Sequence, residues 1–92
     1  MLNYKDTLEF ARKNKIDVFT LDIAYELDAN LIVEIKNEDF ERLCLVINKM
    51  YLKSDNISIS DIAYYIASQI NEDKGNIEKI INMDIYELLM KL

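Results

Sequence analysis

Carboxylates are the only reactive side chains that this sequence concentrates. Between Asp17 and Glu41 stand eight acids (Asp17, Asp22, Glu26, Asp28, Glu34, Glu38, Asp39 and Glu41) against one base, Lys36. Pairs such as Glu38 and Glu41 fall on one side of a helix, and two carboxylates that approach one another could divide acid and base work between them. The plainer reading is a helix N-terminus decorated with solvated acids, which the helix dipole favours. The rest of the chain supports that reading. It has no histidine, so the usual general base, proton shuttle and metal ligand is missing. The one cysteine, Cys44, lies within Leu43-Cys44-Leu45-Val46-Ile47, an apolar setting for an inert thiol. A single glycine, Gly75, leaves no phosphate-cradling loop. The best calcium-loop lookalike is Asn71-Glu72-Asp73-Lys74-Gly75-Asn76. It places a lysine among the would-be ligands, its glycine one residue early, and Asn82 where the bidentate glutamate belongs. No enzyme activity, cofactor or metal is expected.

What the acids can do is set up a field. Residues 17–41 carry −7 within a total of −6, because 1–16 give +2, 42–60 give +2 and 61–92 give −3. A single-signed stretch of this kind acts on partners more than on the fold. Direct nucleic-acid binding is not expected: the bases are few and dispersed, with Lys5, Arg12, Lys13 and Lys15 as one small group and Arg42, Lys49 and Lys53 as another. A helix-turn-helix reading of Asp61-Ile62-Ala63-Tyr64-Tyr65-Ile66-Ala67 would have its groove-reading segment begin Asn71-Glu72-Asp73, the wrong sign for phosphates. The acidic sign suits the opposite role, occupying a basic groove in place of nucleic acid through fast, salt-sensitive association. The competing reading is that the acids merely keep a small apolar domain soluble. Of the tyrosines, Tyr64 and Tyr65 are adjacent on one expected helix and cannot both face the core, so at least one is an exposed candidate anchor.

The elements that must position these groups follow from periodicity. Ninety-two residues, half of them hydrophobic, make one small acidic domain over 1–92. The absence of proline and near absence of glycine favour helices. Tyr4, Leu8 and Ala11 mark a helix over 3–15 with basic residues in its last turn. Residues 17–36 read two ways. Phe19, Leu21, Ile23, Tyr25 and Leu27 alternate as in a hairpin strand, yet Phe19, Ile23 and Leu27 are also four apart, with Asp17 or Thr20 as cap. Helix is expected over 18–29, and a strand or extended linker over 31–36. Phe40, Leu43, Cys44, Ile47, Met50 and Tyr51 predict a central, buried helix over 38–53 with Asn37 as its cap. A polar break at Lys53-Ser54-Asp55-Asn56 precedes Ser58-x-x-Asp61, a capping-box pattern leading into Ile59, Ile62, Ala63, Ile66 and Ile70. Gly75 is expected as a left-handed C′ residue, and Ile77, Ile81, Ile85, Leu88 and Leu92 form a last stripe, broken near Asn82-Met83-Asp84. Asp22-Ile23-Ala24-Tyr25 also recurs as Asp61-Ile62-Ala63-Tyr64, a faint internal echo.

The expected fold is thus mainly α: four to five short helices bundled around 38–53, with a small β element near 31–36 as the alternative. Met1-Leu2-Asn3-Tyr4-Lys5-Asp6 lacks the apolar run of a signal peptide, and no membrane span is visible. With one cysteine, a reducing cytoplasm is the natural location. In size, acidity and lack of catalytic residues the chain resembles the broad class of small inhibitors carried by phages and mobile elements. That class includes anti-CRISPR proteins, DNA mimics and nuclease-immunity proteins, and the likeness is one of general character with no motif behind it. It implies a non-enzymatic inhibitor or regulator that binds a positively charged protein such as a nuclease or CRISPR effector. The expected contact residues are Asp22, Glu26, Asp28, Glu34, Glu38, Asp39, Glu41, Tyr64 and Tyr65. The alternatives are a helix-turn-helix or antitoxin-like regulator using 58–82, and a homo-oligomeric module joined through Tyr64, Tyr65 and the 77–92 stripe. Monomer and homodimer both remain open.

Overall fold

The computed structural model describes residues 2–54 and 58–92, with the side chain of Ile59 outside the described set. Among the described residues it contains six helices and no strand: α1 (Tyr4–Lys13), α2 (Val18–Ala29), α3 (Asn37–Lys53), α4 (Ile59–Glu72), α5 (Asn76–Asn82) and α6 (Ile85–Met90). The mainly helical expectation therefore holds, and the break at Met83–Asp84 splits the last segment into α5 and α6. Met1 and the Asp55–Asn56 part of the expected polar break fall outside the described residues. No described helix is long and apolar enough to cross a membrane.

The helix ends show which local signals hold. The Asn3 side chain accepts the Asp6 N–H and opens α1, and Asp17 does the same for the Phe19 N–H of α2. With that cap, and with no second strand to pair, residues 18–29 satisfy their own backbone as a helix. The C-terminus of α1 closes two residues earlier than the periodicity predicts. Lys15 takes the left-handed conformation (φ 54°) and donates to the Arg12 carbonyl, while Ile16 donates to Ala11 and buries its side chain. Those bonds form a Schellman closure with a lysine where glycine is usual. Gly75, expected to play that part for α4, is right-handed instead (φ −62°) and stands before α5. The Asp73 carboxylate accepts the Gly75 N–H at 2.9 Å, so a side chain makes the turn and no glycine freedom is needed. Asn37 is likewise displaced from its expected role. Lys36 occupies the cap position of α3, and Asn37 Oδ1 accepts the Asn3 N–H at 2.9 Å, a tertiary bond in place of a local one. Ser58 stands at the cap of α4 without a side-chain capping bond.

Hydrogen bonds and ring contacts set the topology. Asn3 bonded to Asn37 puts the starts of α1 and α3 side by side. Tyr4 meets Tyr25 edge-on at 5.2 Å, and Thr7 Oγ1 lies 2.6 Å from the Tyr25 hydroxyl. Tyr25 stacks on Phe40 at 5.4 Å, while Thr20 donates to Asn48 near the other end of α3. So α2 runs antiparallel to both α1 and α3. Asn71 bonds to the carbonyl of Asn30, which brings the last turns of α2 and α4 to the same end. The four long helices thus alternate in direction, and α5 and α6 pack on α3. α3 is central as expected, with Phe40, Leu43, Ile47 and Met50 wholly buried.

Residues 31–36 alternate in burial as a strand would: Ile35 is buried, Leu31 and Val33 half-buried, Ile32 and Glu34 exposed. They form an extended linker and not the alternative β element, because no strand lies beside them. The pairing comes from a side chain: Asn71 Oδ1 accepts the Ile32 N–H at 2.8 Å and Asn71 Nδ2 donates to the Asn30 carbonyl at 2.9 Å.

Candidate functional site

Alternating helix directions convert one acidic stretch of sequence into one acidic end of the bundle. The last turn of α2, the linker and the first turns of α3 all lie at the end where α1 starts. Six of the expected contact residues come together there: Glu26, Asp28, Glu34, Glu38, Asp39 and Glu41. Asp22 lies one turn back on the exposed side of α2, four residues before Glu26 and on the same stripe.

Their environments differ. Asp28 is partly buried and lines a groove of about 210 Å³ with Leu2, Tyr4, Leu31, Val33, Glu34 and Ile35. Burial, foremost, and the nearby Glu34 charge push its carboxyl above the ordinary range. Asp39 is half-buried, 3.6 Å from the Arg42 guanidinium. Arg42 also forks onto Glu78 of α5, at 2.8 and 3.2 Å. That hydrogen-bonded pair holds Glu78 below its ordinary range and raises Arg42. Glu41 is close enough to the Cys44 thiol to add to the effect of burial on it. Among the described residues no lysine or arginine is within ion-pair distance of Asp22, Glu26, Glu38 or Glu41. No group of three or more potential metal ligands converges among them either.

Tyr64 and Tyr65 stand apart from these acids on α4. Tyr64 is 70% exposed and Tyr65 half-buried against the core, so the adjacent pair divides as its spacing requires. Both line a groove of about 570 Å³ with Ser58, Asp61, Ser68, Lys91 and Leu92. The segment that would read a DNA groove in a helix-turn-helix is the seven-residue α5, whose Glu78 is bonded to Arg42.

Two features escape a linear reading. The bases form separate groups in sequence, yet parallel α1 and α3 bring Arg12, Lys13 and Lys15 to the same end of the bundle as Lys49 and Lys53, opposite the acids. Asn71, which ties the linker down, has no periodic signal at all. Set against known proteins, the chain matches no family model, no curated protein and no solved structure.

Proposed function

We propose that this chain is a non-enzymatic binding protein that offers its acidic end to a positively charged, nucleic-acid-handling protein and thereby inhibits or regulates it. The observation that supports this reading best is the gathering of carboxylates from α2, the linker and α3 at one end, several without a cation of their own among the described residues. Such an end resembles a short run of phosphates in sign and density, and its potential would speed encounter with a basic groove. A DNA-mimicking inhibitor of a nuclease, of the anti-CRISPR kind, is the specific form of the proposal.

Triple replacement Asp22→Lys, Glu26→Lys and Glu38→Lys tests it, because all three side chains are exposed and outside the core. The native chain should capture a basic protein that duplex DNA or high salt displaces. The triple variant should keep its circular dichroism and melting temperature and capture nothing. Equal recovery of the same protein by both would remove the proposal.

A further inference from the structure

The end of the bundle opposite the acids combines positive charge with uncovered apolar side chains. A groove of about 400 Å³ opens there between α1 and α2, with Leu8, Val18 and Leu21 in its apolar wall and Arg12 and Lys15 also lining it. Leu8 and Val18 are uncovered, Val18 at 69% exposure, and Phe19 beside it in the first turn of α2 is exposed as well. Another apolar side chain projects where α3 ends. Thr20 of α2 donates to Asn48, and Leu52 stands one turn beyond Asn48 on the same stripe of α3, 71% exposed. Lys49 and Lys53 belong to the same last turns of α3.

The charge of this end is not cancelled. Among the described residues no carboxylate is within ion-pair distance of Arg12, Lys13, Lys15, Lys49 or Lys53. Two acids share the end: Asp17, which accepts the Phe19 N–H, and Asp61 in the first turn of α4, which lines another groove with Lys91. The carboxylates of the opposite end are too distant to offset the excess. Seventeen residues at about 1.5 Å each make α3 about 25 Å long. That is more than twice the screening length of about 8–10 Å at physiological salt.

We propose that this end docks on a lipid surface with anionic headgroups, Val18, Phe19 and Leu52 entering among the lipids and the five bases lying at the level of the phosphates. The bases select a negative surface, and the apolar side chains select a bilayer over nucleic acid or an acidic protein segment. Those side chains project from two different helices. A fluid interface takes up such projections without a matching recess, whereas a folded partner needs a complementary shape. The long stems of lysine and arginine cover apolar surface while their heads reach the phosphates. A basic cluster and an apolar anchor are each weak alone and hold a protein at a membrane together. Docked in this way, the molecule points its acidic end away from the lipid, so the contact does not depend on what that end captures.

Cosedimentation of the full chain with vesicles tests the proposal. The native protein should pellet in low salt with vesicles of equal parts phosphatidylglycerol and phosphatidylcholine, far less in high salt, and not with phosphatidylcholine alone. Arg12→Glu with Lys15→Glu should weaken binding by about thirtyfold or more, through lost charge attraction. Val18→Ser with Leu52→Ser should weaken it by about tenfold or more, through lost insertion. All four positions are exposed, so both variants should keep the native circular dichroism. A native chain that ignores the anionic vesicles in low salt overturns the proposal, and capture of polyglutamate by that chain would assign the end to an acidic protein segment instead. Vesicle binding undiminished in Val18→Ser with Leu52→Ser overturns it too, because charge alone would then carry the contact.

Discussion

Cys44 lies on the buried face of α3, and burial, aided by the Glu41 charge, pushes its thiol up to about 12. A thiol held so far above its ordinary value is almost wholly protonated near neutrality, and the thiolate is the reactive form. Iodoacetamide should therefore leave the folded chain unmodified at pH 8 and alkylate it readily in urea; modification at equal rates would contradict the buried placement. Linkage gives a second readout. The folded value lies above the unfolded one, so the contribution to stability is complete below the unfolded pKa and is lost as pH rises toward the folded pKa. Between the two, the unfolding free energy should fall by about 1.4 kcal/mol per pH unit from this group. The measurement is a comparison of urea midpoints at pH 8.5 and 10 for the native chain and Cys44→Ala, so that contributions common to both cancel. The native chain should lose stability more steeply, and equal slopes would show the thiol to be in an ordinary environment.

At the scale of elements, what decides the geometry of the acidic end is the short linker between α2 and α3. The Asn71 side chain uses both a donor and an acceptor there, closing on the Asn30 carbonyl and the Ile32 N–H. Exposed hydrogen bonds are each worth about 0.5–1.5 kcal/mol, so Asn71→Ala should cost about 1–2 kcal/mol in a denaturation experiment. Asn71→Asp should retain only the acceptor half. Hydrogen exchange at the Ile32 amide distinguishes a local from a global effect: it should lose protection in Asn71→Ala while amides in the middle of α3 keep theirs. Loss of protection everywhere would mean that the clamp supports the whole bundle. This linker is also where the sequence was least legible. The helices announced themselves because Phe40, Leu43, Ile47 and Met50, or Ile62, Ile66 and Ile70, repeat with the helical period, and burial in the structure follows that repeat. The alternation of Leu31, Val33 and Ile35 was equally real, but a strand needs a neighbour that no local pattern supplies. Its actual partner stands roughly forty positions along the chain. Caps failed for a related reason. Asn37 and Gly75 had the right local chemistry, and bonds to Asn3 and Asp73 took precedence. Of the site, the carboxylates were visible as a run, whereas the gathering of six of them at one end, and of Arg12, Lys13, Lys15, Lys49 and Lys53 at the other, required the helix directions; Lys5 and Lys36 stay at the acidic end and Asp17 at the basic one.

For the molecule as a whole, that separation of charge has an energetic cost that can be located. Glu26 and Asp28 occupy the last turn of α2, where the helix dipole disfavours negative charge. Asp28 is also partly buried beside Glu34, and its carboxyl is raised mainly by that burial, with a smaller addition from the Glu34 charge. A folded pKa above the unfolded one means that the fold prefers the neutral acid. The stabilising contribution is present below the unfolded pKa and lost as pH rises through the folded pKa, so at neutrality the ionised Asp28 works against the fold. Asp28→Asn keeps the shape without the charge. It should raise the melting temperature at pH 7, and the gain over the native chain should shrink as pH falls through the carboxylate range, where Asp28 is itself neutral. The same substitution should weaken capture of a basic protein, since that capture draws on the field of the acidic end. Opposite movement of stability and binding is what a surface built for a cationic partner requires, because its charges repel one another until the partner arrives. Should Asp28→Asn instead lower the melting temperature at pH 7, the carboxylate is held by favourable contacts within the chain, and the acidic end is a product of folding, not a surface held ready for something else.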